Sequence, residues 1–284
     1  MNKNTFSMYE GSALTVLFMS DTIILSGGFT SAGIYNCISL LCGTLLSSML
    51  ILLTGQMYIK MTSKAVSILT IALALIAIII NLVLFSDFIN TCVLPGINPY
   101  IIPVLIILVA VYAARNRFLT IIKSTHIVIP VLTIFTAGII LMLIPSVNFT
   151  YMKSIATVPS DVTGFIFTTL LNTVVFYVKG LLILGLFNTV DESDTQNSIK
   201  SVITGICVYG TAIAIIQLIT LAVLGPGLYL QLEYPLYYPP GLTVFGEYFE
   251  RSEVLTITIF MTSLIYKTAI YLYSIKQSYV DAVR

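Results

Sequence analysis

Two charged side chains lie deep inside apolar segments of this sequence, and they are its clearest candidates for chemistry. Asp21 interrupts the segment Gly11–Phe29, and Lys179 stands near the middle of Val162–Phe187; each is the only charged residue of its segment. A charge inside a membrane-spanning segment is costly and usually marks a functional site. The two groups could bind the amino and carboxyl ends of a zwitterion, or they could neutralise one another. Lys267, in a third apolar segment, competes with Lys179 as the partner of Asp21.

Both segments also contain residues that weaken a helix. The tripeptide Ser26-Gly27-Gly28 follows Asp21, and the dipeptides Asn172-Thr173 and Lys179-Gly180 interrupt the other apolar run. Adjacent glycines allow the backbone to leave the helical conformation. The sequence therefore predicts discontinuous helices that line a ligand site. The alternative is a helix that simply ends at Ser26, with Asp21 satisfied by a neighbouring helix or reaching outward to the interface. The predicted substrate-binding residues are Asp21, Ser26, Gly27, Gly28, Thr173, Phe176, Tyr177 and Lys179.

Composition excludes several classes of protein. Of the 284 residues, 58% are apolar and only 9% are charged, and the mean hydropathy is +1.02. Soluble domains carry about 25% charged residues, so this chain is an integral membrane protein. The net charge of +1 and the absence of a basic patch argue against nucleic acid as a partner.

No catalytic or metal-binding pattern stands out. The sequence shows no nucleophile–base pair, no metal-ligand cluster and no phosphate-binding loop, so we expect no enzyme activity, no metal site and no cofactor. The four cysteines are not spaced as a metal or disulfide set and are expected to be small apolar residues. The single histidine, His126, is expected to be a polar group satisfied within the helix bundle; a proton relay is the alternative.

Apolar runs of about 17–25 residues predict eight membrane-spanning helices and an uncleaved first span. These runs are Gly11–Phe29, Ile34–Thr54, Ala65–Phe88, Pro99–Ala114, Ile121–Pro145, Val162–Phe187, Val202–Leu224 and Val254–Ile275. Lys and Arg are concentrated in segments on one side of this arrangement, with only Lys153 and Arg251 on the other. Since positive residues favour the cytoplasmic side, both termini are predicted to be cytoplasmic.

The two interrupted spans, the first and the sixth, are five spans apart. This spacing is typical of transporters built from two five-helix repeats of opposite topology. The sequence thus predicts one transmembrane domain over 1–284, with a first repeat at about 8–146 and a second, incomplete one at about 160–284. The long outer connection before the eighth span is predicted to be a folded loop. Glu247, Arg251 and Glu253 are its expected structural residues, because Glu247 and Arg251 have the spacing of a helical ion pair.

Several segments resemble the spore germination permeases, the B subunits of GerA-type germinant receptors. These segments are Thr91–Pro99, the run Val111–Asn116, the Tyr234-Pro235 turn and Gly246–Glu253. Within the last of them, the Phe-x-Arg-x-Glu core from Phe249 to Glu253 is the most specific piece. The spacing of the spans agrees with that family from the first to the eighth.

The resemblance implies a fold and a role. It implies the five-plus-five inverted repeat of the amino acid–polyamine–organocation transporters, with a ligand pocket between spans one, three, six and eight. It also implies sensing or passage of a small nutrient germinant in the inner membrane of an endospore, beside A and C subunits. A proton-coupled amino acid transporter and a shortened, non-transporting scaffold are the alternatives.

This chain departs from the family pattern. The family has ten spans, whereas eight are predicted here, so the last two are expected to be lacking. At the place of the family's glycine-rich stretch in the first span, this sequence reads Met19–Ile24. It contains no tryptophan, and Lys179 stands where the family tends to have an acidic residue.

Overall fold

The computed structural model describes residues 6–20, 34–60, 64–152, 162–190, 195–242 and 253–283. Within these ranges the chain forms ten α-helices and no strand. A π-helical turn, Ile89–Val93, extends α3, and a short 3-10 helix, Ile144–Ser146, extends α5. The helices are α1 (Met8–Met19), α2 (Asn36–Lys60), α3 (Lys64–Phe88), α4 (Ile101–Ala114), α5 (Phe118–Leu143), α6 (Phe149–Met152), α7 (Val162–Val190), α8 (Thr195–Gln231), α9 (Tyr238–Leu242) and α10 (Glu253–Val283).

Six of these helices are long and apolar enough to cross a membrane. They run through Asn36–Ile59, Val66–Val93, Phe118–Ser146, Val162–Asn188, Thr195–Gln231 and Glu253–Val280. The protein is therefore an all-α polytopic membrane protein, as its composition predicts. Of the eight predicted spans, the fourth corresponds to the shorter apolar helix α4, and the first corresponds in part to the 12-residue α1.

Two pairs of parallel helices form one part of the bundle. Gly11 and Thr15 of α1 pack against Ser201 and Gly205 of α8, so the two helices run in the same direction with a constant offset. In the α2–α7 pair, Gly43 meets Asn172 and Gly55 meets Leu184, again in the same direction. Small residues at such contacts allow membrane helices to approach closely.

A second group of helices packs beside these pairs. Helix α10 packs against α3 and α4, and α5 connects the two groups by contacting both α1 and α10. If the second repeat copies the first in inverted form, span six corresponds to span one and span seven to span two. The packing of span one on span seven then corresponds to the packing of span six on span two. The observed α1–α8 and α2–α7 contacts have this relationship, and the inverted repeats themselves stay a prediction.

The main bend in the described chain lies in the seventh span. Gly225 in α8 has φ 77° and ψ 159°, a conformation that favours glycine, and it precedes Pro226. Because proline has no N–H, the carbonyl of Ala222 loses its helical donor. The backbone N–H of Asn148 donates to this carbonyl at 3.0 Å, so the bend is satisfied from outside the helix.

The predicted break in the sixth span is wrong, because α7 is one continuous helix from Val162 to Val190. Asn172 does not interrupt this helix. Its Nδ2 donates to Ser39 Oγ of α2 at 3.2 Å. Gly180 gives Ile51 of α2 room to approach, since a Cβ there would overlap the Ile51 side chain. These residues are therefore explained by close helix packing and interhelical hydrogen bonding.

The turn that joins α8 to α9 is anchored on α3. Tyr234 is 4% exposed, and its hydroxyl donates to Asp87 Oδ2 at 2.5 Å. Burial, and then the hydrogen bond to Asp87, raise the pKa of Tyr234, so the hydroxyl keeps its proton and remains a donor. The rings of Tyr234 and Tyr237 both meet Phe88 edge to face.

We expect Tyr234→Phe to lower the free energy of unfolding by about 1 kcal/mol, because it removes a hydrogen bond to a carboxylate that is itself exposed. Thermal unfolding of the purified protein in detergent measures this change. Tyr279→Phe is the matched control, since Tyr279 is 64% exposed. Equal unfolding temperatures for the two variants would contradict the anchoring role.

Candidate functional site

Helix α1 begins with a complete capping box. The Ser7 hydroxyl accepts from the Glu10 backbone N–H at 3.2 Å, and the Glu10 carboxylate accepts from the Ser7 backbone N–H at 2.7 Å. The second carboxylate oxygen of Glu10 lies 3.0 Å from His126 Nε2 on α5. Glu10 thus fixes the start of α1 and ties it to α5 at the same time.

The other end of α1 lies near the middle of the bundle. By the register of the α1–α8 contacts, in which Gly11 meets Ser201 and Thr15 meets Gly205, Ser20 is level with Gly210. Gly210 is equally far from the first residue of α8 and from the bend at Gly225. Helix α1 therefore ends about halfway along its neighbour.

The helix ends earlier than the sequence predicts. Ser20 has φ −60° and ψ 121°, an extended conformation, so the helical conformation is lost before Asp21 and not at Ser26. Asp21, Ser26, Gly27 and Gly28 lie outside the described residues, so their predicted contacts with a ligand remain predictions. Helix α1 therefore ends within Met19–Ile24, the segment that was aligned above with the glycine-rich stretch of the resembling family.

The end of α1 is a region of negative partial charge. The last carbonyl groups of a helix have no partner within it, and the aligned peptide dipoles place negative partial charge there. Ser20 Oγ donates to one of these carbonyls, that of Leu17, at 2.8 Å. Cationic groups near such an end are stabilised.

A buried lysine stands near this end. Lys267 of α10 is 1% exposed, and its Nζ donates to Asn81 Oδ1 of α3 at 3.1 Å. Tyr271, one turn further along the same face of α10, packs on Phe18 with ring centroids 4.9 Å apart. Lys267 is therefore about 6 Å along α10 from a residue that touches the last turn of α1.

Asn81 is oriented to accept from this lysine. Its Nδ2 donates to the carbonyl of Ala77 at 2.8 Å, which turns Oδ1 towards Lys267. Both side chains are buried, at 7% and 1% exposure. A buried polar network of this kind is costly unless its members are satisfied, which is consistent with a functional reason for its presence.

Lys179, the lysine predicted for the site, is also buried, with 7% of its surface exposed. Its neighbour Gly180 packs against Ile206 of α8, one residue beyond the contact of Gly205 with Thr15 of α1. Phe176, one turn away, meets Tyr209 of α8 with ring centroids 6.1 Å apart. Lys179 and Phe176 therefore lie within one or two helical turns of the level of Ser20.

The other two predicted residues of α7 lie at a different interface. Tyr177 shares a hydrogen bond of 2.9 Å between its hydroxyl and Thr54 Oγ1 of α2. The Thr173 hydroxyl donates to the Thr169 carbonyl within α7, and the Thr173 backbone lies against Gly43 of α2. These contacts hold α7 to α2, so a ligand role for Thr173 and Tyr177 stays a prediction without support from their positions.

One residue of the predicted outer-loop set is described. Glu253 is the first residue of α10, and its carboxylate packs against Gly241 of α9. A carboxylate at this position complements the positive end of the helix dipole. Glu247 and Arg251 lie outside the described residues, and their predicted pairing stays a prediction.

Sequence reasoning overlooked two polar residues, one beside Lys267 and one at the start of α1. Asn81 was detectable as the single amide within the apolar run of α3. Glu10 was detectable as the fourth residue of a Ser-x-x-Glu capping pattern that starts at Ser7. Its contact with His126, whose side chain is 51% exposed, gives that histidine a partner within the bundle.

The charges of these groups are of the kind that could bind a small zwitterion. Lys267 lies near the negative end of α1, Lys179 is buried within one or two helical turns of the same level, and the chain continues from this end into Asp21. An ammonium group can bind a carboxylate through a charge-assisted hydrogen bond. Helix-end carbonyls and a carboxylate can bind an ammonium in turn.

Comparison with known proteins supports a role for this bundle in germination. The model of one protein family, described as "Spore germination protein", matches residues 22–282. No curated protein and no solved structure matches the chain. Because the family model covers nearly the whole helix bundle, the chain belongs to the spore germination protein family, and it is a germination-related membrane protein.

Proposed function

We propose that this protein is the permease-like membrane subunit of a spore germinant receptor and that it binds a small nutrient germinant such as an amino acid. The observation that carries the proposal is the end of α1 at Ser20, halfway through the bundle, with buried Lys267 nearby. Membership of the spore germination family supplies the biological setting. The ligand is an amino acid or a molecule of similar size and charge.

In this proposal the ligand carboxylate approaches Lys267 or Lys179, and the ligand ammonium approaches the last carbonyls of α1 and Asp21. Each ammonium–carboxylate contact is desolvated inside the bundle and is therefore stronger than in water. Binding would stabilise one position of α1 relative to α5 and α10, and this position is what a neighbouring subunit would detect.

The same proposal includes the partners and the location. The receptor contains A-type and C-type subunits beside this chain, and it lies in the inner membrane of the endospore with both termini of this chain in the cytoplasm. The excess of Lys and Arg on one side of the predicted spans supports that orientation.

A proton-coupled amino acid transporter is the second candidate function. The contact between Glu10 and His126 favours it, because it joins a titratable ring on α5 to the start of the helix that borders the ligand site. Uptake of a labelled amino acid into proteoliposomes that collapses with the proton gradient would establish transport. Ligand binding without such uptake would favour the receptor.

We expect Asp21→Asn and Lys179→Met each to raise the germinant concentration for half-maximal response at least tenfold, because each removes a charge that the ligand would contact. The assay uses a spore-former from which the gene has been deleted. Complemented spores are tested for germination with a panel of amino acids and sugars, and immunoblotting checks membrane insertion.

Lys64→Met is the matched control, since Lys64 is exposed at the start of α3. The proposal fails if the deletion strain germinates normally with every nutrient while other receptors are also deleted. If the deletion impairs germination but Asp21→Asn and Lys179→Met behave like the parent, the location of the ligand site is wrong and the receptor role stands.

A further inference from the structure

A long groove runs along the bundle between α1, α5 and α8 and reaches α10 at its far end. Its volume is about 650 Å³. On α8 its lining extends from Thr204 to Ile219, and on α5 from Ile129 to Leu143. At 1.5 Å per residue, the groove is about 20 Å long and parallel to the helices.

The groove opens sideways towards the bilayer. Thr133 and Ala137 on α5, and Val208 and Ala212 on α8, line it and are exposed. Three of these four side chains are small or short, which leaves a gap between the two helices. The opening therefore faces the lipid phase, and a ligand can enter it from there.

The lining presents hydrocarbon. Several of its hydroxyl groups are satisfied by their own helices: Thr133 and Thr136 donate to carbonyls one turn earlier at 2.8 Å, and Ser12 donates to the Tyr9 carbonyl at 2.9 Å. Thr256 Oγ1, at the α10 end of the lining, is buried without a hydrogen-bond partner among the described residues. A polar ligand would find few free donors along these walls. An apolar chain would meet aliphatic side chains over the whole length, as in other ligand sites of this volume.

Two lysines flank the end of the groove that is predicted to be cytoplasmic. Lys200 precedes Thr204, which lines the groove, by one turn on α8, and Lys123 precedes Ile129, the first lining residue of α5, by six residues. Both lysines are exposed. His126 contacts Glu10, so this carboxylate at the start of α1 already has a partner.

We propose that the groove binds an acyl chain of an anionic phospholipid, with the lipid phosphate between Lys123 and Lys200. One leaflet of hydrocarbon is about 15 Å thick, so a groove of this length holds an entire acyl chain. Cationic side chains at the cytoplasmic interface attract anionic headgroups. This lipid is a second ligand in addition to the germinant, and the groove adjoins the proposed germinant site, because Leu17 and Ser20 at the end of α1 also line it.

The test is native mass spectrometry of the full-length protein in detergent, with phosphatidylglycerol and phosphatidylcholine of identical acyl chains. We expect the parent to retain one phosphatidylglycerol. The double variant Lys123→Gln/Lys200→Gln should weaken its binding about 30-fold, at about fivefold per lysine, and should weaken phosphatidylcholine binding less, because the choline ammonium offsets the charge of its phosphate. Lys64→Gln is the control for loss of an exposed lysine.

A second variant tests the acyl chain. Ala137→Trp fills the opening and should weaken the binding of both lipids, whereas Ala72→Trp, on an exposed face of α3, should not. Equal lipid binding by Ala137→Trp and the parent overturns the proposal, as does an equal loss in both tryptophan variants. If the parent forms a dimer that Ala137→Trp abolishes, a second copy of the chain covers the groove. If free amino acids displace the lipid, the groove belongs to the germinant. Either result also overturns the lipid proposal.

Discussion

Lys267→Met is expected to weaken the response of spores to the germinant strongly while leaving the protein folded. Lys267 is 1% exposed and donates to Asn81 Oδ1 at 3.1 Å. A charge-assisted hydrogen bond to a ligand carboxylate contributes about 1.5–3 kcal/mol. Its loss corresponds to an increase of about 10- to 150-fold in the half-maximal germinant concentration.

The effect on stability should be small or opposite in sign. A lysine in the interior of a membrane protein costs about 2.5–3.5 kcal/mol on insertion scales, and methionine does not carry this cost. Against this gain stands the hydrogen bond lost from Asn81, about 1–3 kcal/mol. The unfolding temperature in detergent should therefore stay equal to that of the parent or rise, while the germination response falls.

Two measurements on the same variants separate the roles of Lys267. Germination of complemented spores reports the response, and thermal unfolding reports the fold. Lys64→Met, at an exposed position, should change neither. An Lys267→Met protein that responds normally would show that this lysine is dispensable for the ligand. One that unfolds many degrees lower would show a purely structural role.

The elements of the fold were predictable because the membrane imposes a strong pattern. Runs such as Ala65–Phe88 and Val162–Phe187 were recovered as α3 and α7, since a helix is the structure that satisfies the backbone in lipid. The Gly-Pro pair at 225–226 also indicated an irregularity, although the sequence predicted that the seventh span ends there and the structure has a bend within α8. Pattern and length were sufficient for these elements.

The candidate site was harder to predict because side chains of the same type have two uses in a membrane. Asn172 and Gly180 suggested a break, yet they pack and bond α7 to α2. Asn81 is likewise a lone amide in an apolar helix, but it accepts a hydrogen bond from the buried Lys267, which is 186 residues further along the chain. Sequence shows which residues are unusual, whereas the partner across the bundle decides what they do.

The position of α1 explains why a glycine more than one helical turn from the end of α1 matters to the ligand site. A Cβ on Gly205 would lie 2.7 Å from Thr15 Cγ2 and 2.8 Å from the backbone oxygen of Ser12. A backbone atom cannot move aside without displacing the helix that carries it. Any side chain at position 205 would therefore push α1 away from α8, together with its end at Ser20.

We expect Gly205→Ala to lower the free energy of unfolding by about 1–3 kcal/mol, as overpacking does elsewhere, and the unfolding temperature by about 2–10 °C. The germination response should fall as well, because α1 no longer holds its end beside Lys267.

Gly138→Ala in α5 is the matched control, since no other atom lies within 4 Å of a Cβ at that position. There the better helix propensity of alanine should leave stability unchanged or raise it by about 1 kcal/mol. Equal unfolding temperatures for the two variants would show that α1 is not held against α8 by this contact, and the proposed control of the ligand site by α1 packing would then be wrong.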